Sequence, residues 1–380
     1  MKLISRIILV IIIIISILIG IFPSMAKTSS YLILTISTII LLIVWILKNG
    51  MRGQFKVNVF LLLIIVLALT RMFIVENSKY IYLLNYLLIL ISYYTISIVE
   101  FDEKFINFVA MIVAISVIPT IIFNGIANTK IEGGTSFSGR LNPCMYFPYV
   151  LIAIKLNNKN IFYKIVLTGI VILTYIDILW SGSRIALVAM ILMTIVFIKT
   201  RDKKTIEINK KTEKILTAVL IFLIILQIAI PNVYIMLYEN YESELNSITF
   251  KWTGKNFFSG RQRVWTSVNK QLEGKEVWGT GDVNFNNLAQ APHNEFMNIY
   301  YCWGKVIAIV NYIYIYSIGK RCIKNVNTNI DLIILFGLFA TLICTTFETY
   351  VYAMHFFVFN NCLTAYLLNK KENGVMKNEK

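Results

Sequence analysis

Three side chains lie within polar loops or where such loops meet long apolar runs, and their chemistry suits a reaction at an anionic group. Arg184 lies in "WSGSRIA", Arg261 in "FSGRQRVW" and His293 in "APHNEF". Arginine can hold a phosphate or carboxylate through two parallel hydrogen bonds, and histidine can take up a proton near neutral pH. His293 is one of only two histidines in 380 residues. The three residues therefore predict a site that binds an anion and accepts a proton.

Further polar residues accompany these three. They are Arg140 in "SFSGRLNP", Ser183, Arg263, Trp265, Asn294, Glu295 and Glu348 in "TTFETY". The pairs Ser183-Arg184 and His293-Asn294 are predicted at the N-terminal ends of helices. Free backbone N–H groups and the helix dipole favour an anion there.

Composition places these residues in a membrane protein. Hydrophobic residues make up 57% of the chain and charged residues 15%, and the mean hydropathy is +0.70, far from soluble-domain usage. Apolar runs long enough to cross a bilayer, about 20 residues each, predict an all-α polytopic fold with about twelve transmembrane helices. The predicted runs are 4–22, 30–48, 57–74, 80–99, 104–124, 143–157, 161–180, 183–200, 213–231, 294–318, 330–347 and 350–368.

The distribution of Lys and Arg predicts the orientation, because short cytoplasmic loops carry the excess of positive charge. Both termini are then cytoplasmic, and the net charge of +16 reflects topology and does not indicate a nucleic-acid partner. The predicted parts are membrane helices in 1–231, an extracytoplasmic loop with short helices in 232–293, membrane helices in 294–368, and a cytoplasmic tail in 369–380. The first run could instead be a cleaved signal peptide, since Lys2 and Arg6 precede it and "PSMA" follows.

Under this topology the unusual polar residues gather on the extracytoplasmic side. Within the large loop, Ser259 is predicted to cap a short helix with an apolar stripe at Val264, Trp265, Val268 and Leu272. Arg261 shares the face of this stripe and should point at the membrane helices, whereas Arg263 is rotated by roughly 200° and should meet water.

Structural explanations exist for the same residues. Arg140 and Arg184 could anchor helix ends at the membrane surface, Arg261 could serve an ion pair, and His293 could cap a helix. Glu348 could pair with any of these arginines. "GTG" at 279–281 is more typical of a turn than of a site.

The motifs together resemble the bacterial O-antigen ligase and polymerase superfamily. The resemblance is carried, in order, by the arginine of "GSR" opening a helix, "GRQRVW", "WGTG", and "HNEF" with Gly304 about ten residues later. Its specific part covers about 180–304. One departure concerns Arg140, because the family often has Asn-Pro-Asn shortly afterwards and this chain has Asn142-Pro143-Cys144.

The resemblance implies a helical, GT-C-like glycosyltransferase on the outer face of the bacterial cytoplasmic membrane. It implies a polyprenyl-diphosphate-linked oligosaccharide donor, a glycan or glycolipid acceptor among membrane lipids, and a chain-length regulator or flippase as further partners. The family's catalytic arginines and histidine correspond to Arg184, Arg261 and His293. Arg140 corresponds to an arginine of an earlier outside loop.

The residue chemistry agrees with a metal-independent, inverting transfer without a cofactor. Arginines can stabilise a diphosphate leaving group, and the aspartates and histidines lack metal-ligand spacing. His293 is the predicted general base, which Asn294 would orient, with Glu295 or Glu348 as the competing base. Ser183, Arg263, Trp265, Asn294 and Glu295 join Arg140 as predicted substrate-binding residues.

Several functions remain open at this point. Within the superfamily the motif spacing favours a polymerase of lipid-linked repeat units over a ligase that transfers the finished glycan to lipid A-core. A lipid-linked oligosaccharide flippase would need charged groups along a path through the membrane, whereas the predicted helices are nearly charge-free, with Lys305 and Asp177 the main exceptions. A scaffold within an export complex is the other non-enzymatic reading. The five cysteines form no CxxC pair and suggest neither a disulfide framework nor a zinc site.

Overall fold

Every regular element in the described part of the chain is an α-helix. The computed structural model describes residues 2–22, 28–50, 58–75, 86–87, 90, 96–128, 137–181, 183–201, 203, 205–253, 256–258, 260–282, 285–347 and 354–375. Among them we label thirteen helices α1 to α13 in chain order. They span Lys2–Ile21, Thr28–Gly50, Val59–Ile74, Glu103–Asn128, Phe137–Leu156, Ile161–Ser181, Arg184–Thr200, Lys210–Thr253, Arg261–Leu272, Glu295–Trp303, Lys305–Lys324, Asn329–Thr345 and Met354–Val375.

The apolar helices indicate a membrane-embedded protein. Stretches within α1, α4, α6, α8 and α11 are long and apolar enough to cross a bilayer, and four shorter apolar helices accompany them. Large apolar side chains such as Phe73 and Trp180 are almost fully exposed on the surface of the bundle, where only lipid could cover them without cost. The predicted run 80–99 lies largely outside the described residues.

Two predicted elements differ from the observed ones. The run 213–231 was predicted to end at Pro231, yet α8 continues through this proline to Thr253 with a kink at Tyr241. A proline removes one backbone hydrogen bond, which a helix packed by its neighbours can tolerate. The run 294–318 is not one helix, because the chain breaks at Gly304 between α10 and α11.

One end of the bundle is closed by polar contacts, and we call it the tail face. Arg6 Nη2 donates to Asp102 Oδ2 at 2.6 Å and to the Glu100 carbonyl at 2.6 Å. The hydrogen bond from Arg6 holds the pKa of the Asp102 carboxyl below its usual value, and the Phe105 N–H acts in the same direction. Asn325 Nδ2 donates to the Leu367 carbonyl at 3.2 Å, which joins α11 to α13.

The helix α12 lies at the centre of the packing that positions the site. It packs against α5 and α7 along one flank and against α8 and α13 along the other. Its first residue, Asn329, donates from Nδ2 to the carbonyl of Thr200, the last residue of α7, at 3.2 Å on the tail face. A capping box between Thr328 and Asp331 begins the helix. We call the opposite end, where α9 and α10 lie, the loop face.

Candidate active site

The helix α9 docks on the bundle through the predicted apolar stripe. Val264, Trp265, Val268 and Leu272 are all buried, as predicted. Trp265 lies edge-on to Tyr234 of α8, with ring centroids 5.2 Å apart, and its Nε1 donates to the Pro292 carbonyl. The side chain of Trp265 is fully buried. It therefore has no surface left for a substrate, and the predicted binding role is replaced by a packing role.

Arg261 points at the bundle as its position four residues before Trp265 predicts. Its guanidinium carbon lies 5.7 Å from the ring centroid of Phe347, two residues beyond the end of α12. Arg263 is exposed, again as predicted. The N-cap position of α9 is occupied by Gly260, with φ +85°, and not by the predicted Ser259, which lies outside the described residues.

Asn294 clamps the start of α10 to two other helices. Its Nδ2 donates to the carbonyls of Gln227 at 3.1 Å and Thr346 at 2.9 Å, and its Oδ1 accepts from Met297 N–H at 2.8 Å. The side chain is fully buried. Both amide N–H donors are thus used on the protein backbone. We therefore assign Asn294 to positioning its neighbours and not to binding a substrate.

His293 lies immediately before this clamp, at the rim of the loop face. Asn294 is the N-cap of α10, so His293 does not cap the helix itself. The imidazole is half-buried, and the backbone has φ +51°, in the left-handed region. For a residue other than glycine, this conformation costs roughly 1–3 kcal/mol and persists only where the surroundings impose it. Because Asn294 binds Thr346 and Arg261 contacts Phe347, His293 and Arg261 both belong to the loop-face end of α12.

Arg184 lies level with the loop-face end of α12, measured along the helix axes. The helices α7 and α12 are each 17 residues long, and the last residue of α7 contacts the first residue of α12. Because the two helices run in opposite directions and rise equally, Arg184 at the start of α7 lies level with Thr345 at the end of α12. Arg184 is exposed and forms no ion pair with a described carboxylate. Ser183 is the buried N-cap residue of α7, and its side chain makes no capping hydrogen bond.

The backbone of Arg140 reaches the same level from α5. Gly337 of α12 is so close to Pro148 of α5 that a Cβ built on Gly337 would lie 2.6 Å from Pro148 Cγ. Arg140 precedes Pro148 by as many residues as separate Gly337 from Thr345, about 12 Å along each helix. The side chain of Arg140 lies outside what the structure describes, and Glu348 lies outside the described residues altogether.

Glu295 faces the other side of α12. It is buried, and it lines a cavity of about 170 Å³ between α8, α10, α11, α12 and α13. Tyr86, Gln227 and Asn311 line the same cavity, and Gln227 Nε2 donates to the Thr345 hydroxyl at 2.7 Å. The rest of the lining combines Leu and Ile side chains with aromatic side chains and with the polar residues Thr341, Asn360 and Thr364. The carboxylate predicted to touch the substrate is therefore placed on an internal cavity.

"WGTG" and Gly304 form a single backbone junction that the sequence did not predict. Thr280 N–H donates to the Tyr301 carbonyl at 2.8 Å, and Lys305 N–H donates to the Glu276 carbonyl at 2.8 Å. A Cβ built on Gly279 would lie 2.6 Å from the Gly304 nitrogen, so only glycine permits this approach. The turn lies at 273–278, directly before "GTG", and residues 279–281 themselves form the irregular segment that contacts the end of α10.

Arg71 holds this junction and was missed in the sequence. It is fully buried at the end of α3. Its Nε donates to the Trp278 carbonyl at 2.7 Å and its Nη2 to the Cys302 carbonyl at 3.0 Å, and the guanidinium lies 4.9 Å from the Trp303 ring centroid. The signal was present, because Arg71 is a charged residue inside the apolar run 57–74. The expectation that the helices contain few charges beyond Lys305 and Asp177 is corrected accordingly.

No group of three or more His, Cys, Asp or Glu side chains converges among the residues with described side chains. Comparison of the chain with protein-family models, with curated proteins and with solved structures found no match.

Proposed function

We propose that the protein is a membrane glycosyltransferase that polymerises polyprenyl-diphosphate-linked oligosaccharide repeats on the extracytoplasmic face of a bacterial cytoplasmic membrane. The observation that supports the proposal is that Arg261 contacts Phe347 and Asn294 binds Thr346 at the loop-face end of α12, at the level of the helix starts that carry Arg140 and Arg184. The predicted topology with twelve spans and a GT-C-like architecture belongs to the same proposal, with the loop face outside.

The helices α5, α7 and α9 would present the guanidinium groups of Arg140, Arg184 and Arg261 to the diphosphate of the donor. Charge-assisted hydrogen bonds from arginine contribute very roughly 1.5–3 kcal/mol each, and they strengthen as the leaving group gains charge. Such a site needs no divalent cation. The proposal therefore requires full activity in the presence of EDTA.

The reaction is a single displacement. A hydroxyl oxygen of the acceptor sugar attacks the anomeric carbon of the donor, and the bond from that carbon to the diphosphate oxygen breaks. The electron pair of that bond leaves with the polyprenyl diphosphate, and the hydroxyl proton passes to the imidazole of His293. The new glycosidic bond has the opposite configuration to the donor bond. Retention of the donor configuration would contradict this mechanism.

The test uses purified protein in nanodiscs with EDTA and polyprenyl diphosphate carrying the oligosaccharide repeat of the source cell. Products are separated on gels and weighed by mass spectrometry. A ladder spaced by one repeat is expected. A single transfer that appears only after lipid A-core is added would make the protein a ligase. The variant Lys270→Gln, at an exposed position of α9, serves as the control for handling and charge.

A transporter of lipid-linked oligosaccharide is the second candidate, because Arg71 and Glu295 place buried charges inside the helical bundle. Such groups are expensive in a membrane and often mark a translocation path. If the substrate crosses the bilayer of sealed vesicles while no product forms with any acceptor, this candidate replaces the enzyme.

A further inference from the structure

The cavity beside Glu295 is lined by buried polar atoms for which the described part of the chain provides no hydrogen-bond partner. The hydroxyl of Tyr86 and the Oδ1 atom of Asn311 have no hydrogen-bond partner among the described residues. Tyr86 is 2% exposed and Asn311 3% exposed, and both line the cavity. An unsatisfied polar atom in such a place is costly, so the arrangement is explained if something that enters the cavity completes the hydrogen bonds.

The chemistry of the lining restricts what can enter. None of the described lining residues is lysine or arginine, and the charged one is the carboxylate of Glu295. A diphosphate would be repelled. Hydroxyl groups suit the site, because the carboxylate and the Asn311 carbonyl oxygen accept hydrogen bonds and the Tyr86 hydroxyl can also donate one.

The cavity lies on the opposite side of α12 from α5 and α7, the helices that carry Arg140 and Arg184. Asn329 marks the flank of α12 that contacts α7, and Thr345, which lines the cavity, is rotated from it by roughly 160° around the helix. Both flanks reach the loop-face end of α12. There Asn294 binds Thr346 and Arg261 contacts Phe347.

We infer that this cavity is the binding subsite for the terminal sugar of the acceptor, with Tyr86, Asn311 and Glu295 as hydrogen-bonding partners of its hydroxyl groups. The inference rests on the proposed function and adds to it that donor and acceptor bind at separate subsites. The anionic donor binds on the α5 and α7 flank of α12, and the uncharged acceptor sugar binds on the α8 and α11 flank.

Two probes separate the two subsites. The repeat-unit oligosaccharide, released from its lipid and reduced, keeps the acceptor end but cannot act as a donor, and a fluorescent label at the reduced end reports its binding. Polyprenyl diphosphate without sugar probes the donor side. Both dissociation constants are measured with the full chain in nanodiscs, together with the KM for the reduced oligosaccharide as acceptor.

The cavity variants are Tyr86→Phe and Asn311→Leu. Loss of one hydrogen bond should weaken oligosaccharide binding and raise the acceptor KM by about three- to tenfold each, with the polyprenyl diphosphate Kd unchanged within about twofold. The matched control is Tyr146→Phe. Tyr146 is also buried with no described partner for its hydroxyl, but it does not line the cavity. It should change neither binding constant.

The outcomes are distinguishable. If both cavity variants bind the oligosaccharide like the parent protein while transfer proceeds, the subsite assignment is overturned and the proposed function stands. If Tyr86→Phe weakens polyprenyl diphosphate binding instead, the cavity belongs to the donor and the assignment is also wrong. If the parent protein binds neither probe and forms no product, the proposed function fails and the subsite with it. Tyr86→Phe should not lower the Tm, because the hydroxyl has no described partner in the protein.

Discussion

The two ends of the helical bundle are stabilised in different ways. At the tail face, side chains with local partners close the structure: Arg6 binds Asp102, Asn329 binds the Thr200 carbonyl, and Thr328 caps α12. At the loop face, backbone packs directly on backbone at Gly279 and Gly304, and His293 is held in the left-handed region.

The difference agrees with the proposed location of the chemistry at the loop face. Both ion pairs formed by residues with described side chains join the start of α1 to residues 100–102 at the tail face. Arg184 at the loop face forms no ion pair with a carboxylate in the described part of the chain. Strained backbone that neighbouring residues impose is typical of functional sites. These features of the loop face support the proposal that the anionic donor binds there, whereas the contacts of the tail face are those of a structural region.

The largest effect on the loop face is expected from Gly304→Ala, which disturbs the backbone junction. Gly304 has φ +91° and ψ 166°, a region essentially restricted to glycine, and an added Cβ would lie 2.0 Å from the Val277 oxygen. We expect a loss of more than about 4 kcal/mol in unfolding free energy and no detectable transfer. The measurement is the thermal midpoint in detergent together with the transfer assay.

Gly169→Ala is the matched control, because nothing lies within 4 Å of its added Cβ in α6. An alanine there should be neutral or slightly stabilising. Equal thermal midpoints for the two glycine variants would contradict the tight junction.

Removing the predicted base should have the next largest effect. We expect His293→Ala to lower kcat by about 10²- to 10⁴-fold, since that is what a positioned general base contributes. Glu295→Gln should act mainly on the acceptor KM. If His293→Ala retains most of its turnover while Glu295→Gln or Glu348→Gln loses it, a carboxylate is the base. Single-turnover rates with saturating acceptor decide between these results.

The variant Arg184→Gln tests whether the arginine at the start of α7 contributes to the use of the donor. Loss of charge-assisted hydrogen bonds should reduce kcat/KM for the donor by roughly 10- to 150-fold. Lys270→Gln, which changes an exposed lysine of α9, should change it by less than about twofold. Similar losses in both variants would show a general effect of surface charge.

The tail face should respond least, because its ion pairs are exposed. We expect Asp102→Asn to cost less than about 1 kcal/mol at pH 7 and low salt, and less still at high salt. The folded-state pKa of Asp102 is lowered. Its contribution is therefore present above the unfolded pKa of about 3.9 and disappears as the pH falls through the folded value. The thermal midpoints of Asp102→Asn and the parent protein should converge in acid, and divergence there would contradict the assignment.

Much of the architecture could be predicted because it depends on local pattern. Apolar runs define most helix positions within a few residues, and period-3.6 spacing predicted the buried face of α9 and the opposite directions of Arg261 and Arg263. The all-helical, membrane-embedded class follows from composition alone.

The features that the sequence did not predict depend on contacts between distant segments. Gly304 interrupts an apolar run only because "WGTG" and Arg71 pack against it, and these segments are far apart in the chain. The full burial of Trp265 depends on Tyr234 and Pro292. The placement of Glu295 on an internal cavity follows from α10 being a separate short helix, which no local signal except Gly304 indicates.

The most direct test of the central claim is the binding of polyprenyl diphosphate and of polyprenol to the parent protein, Arg184→Gln and Arg261→Gln in nanodiscs with EDTA. The two lipids differ only in the diphosphate. We predict that each variant weakens polyprenyl diphosphate binding by roughly 10-fold or more and leaves polyprenol binding unchanged. Equal affinity of all three proteins for polyprenyl diphosphate would contradict an arginine site for the donor at the end of α12.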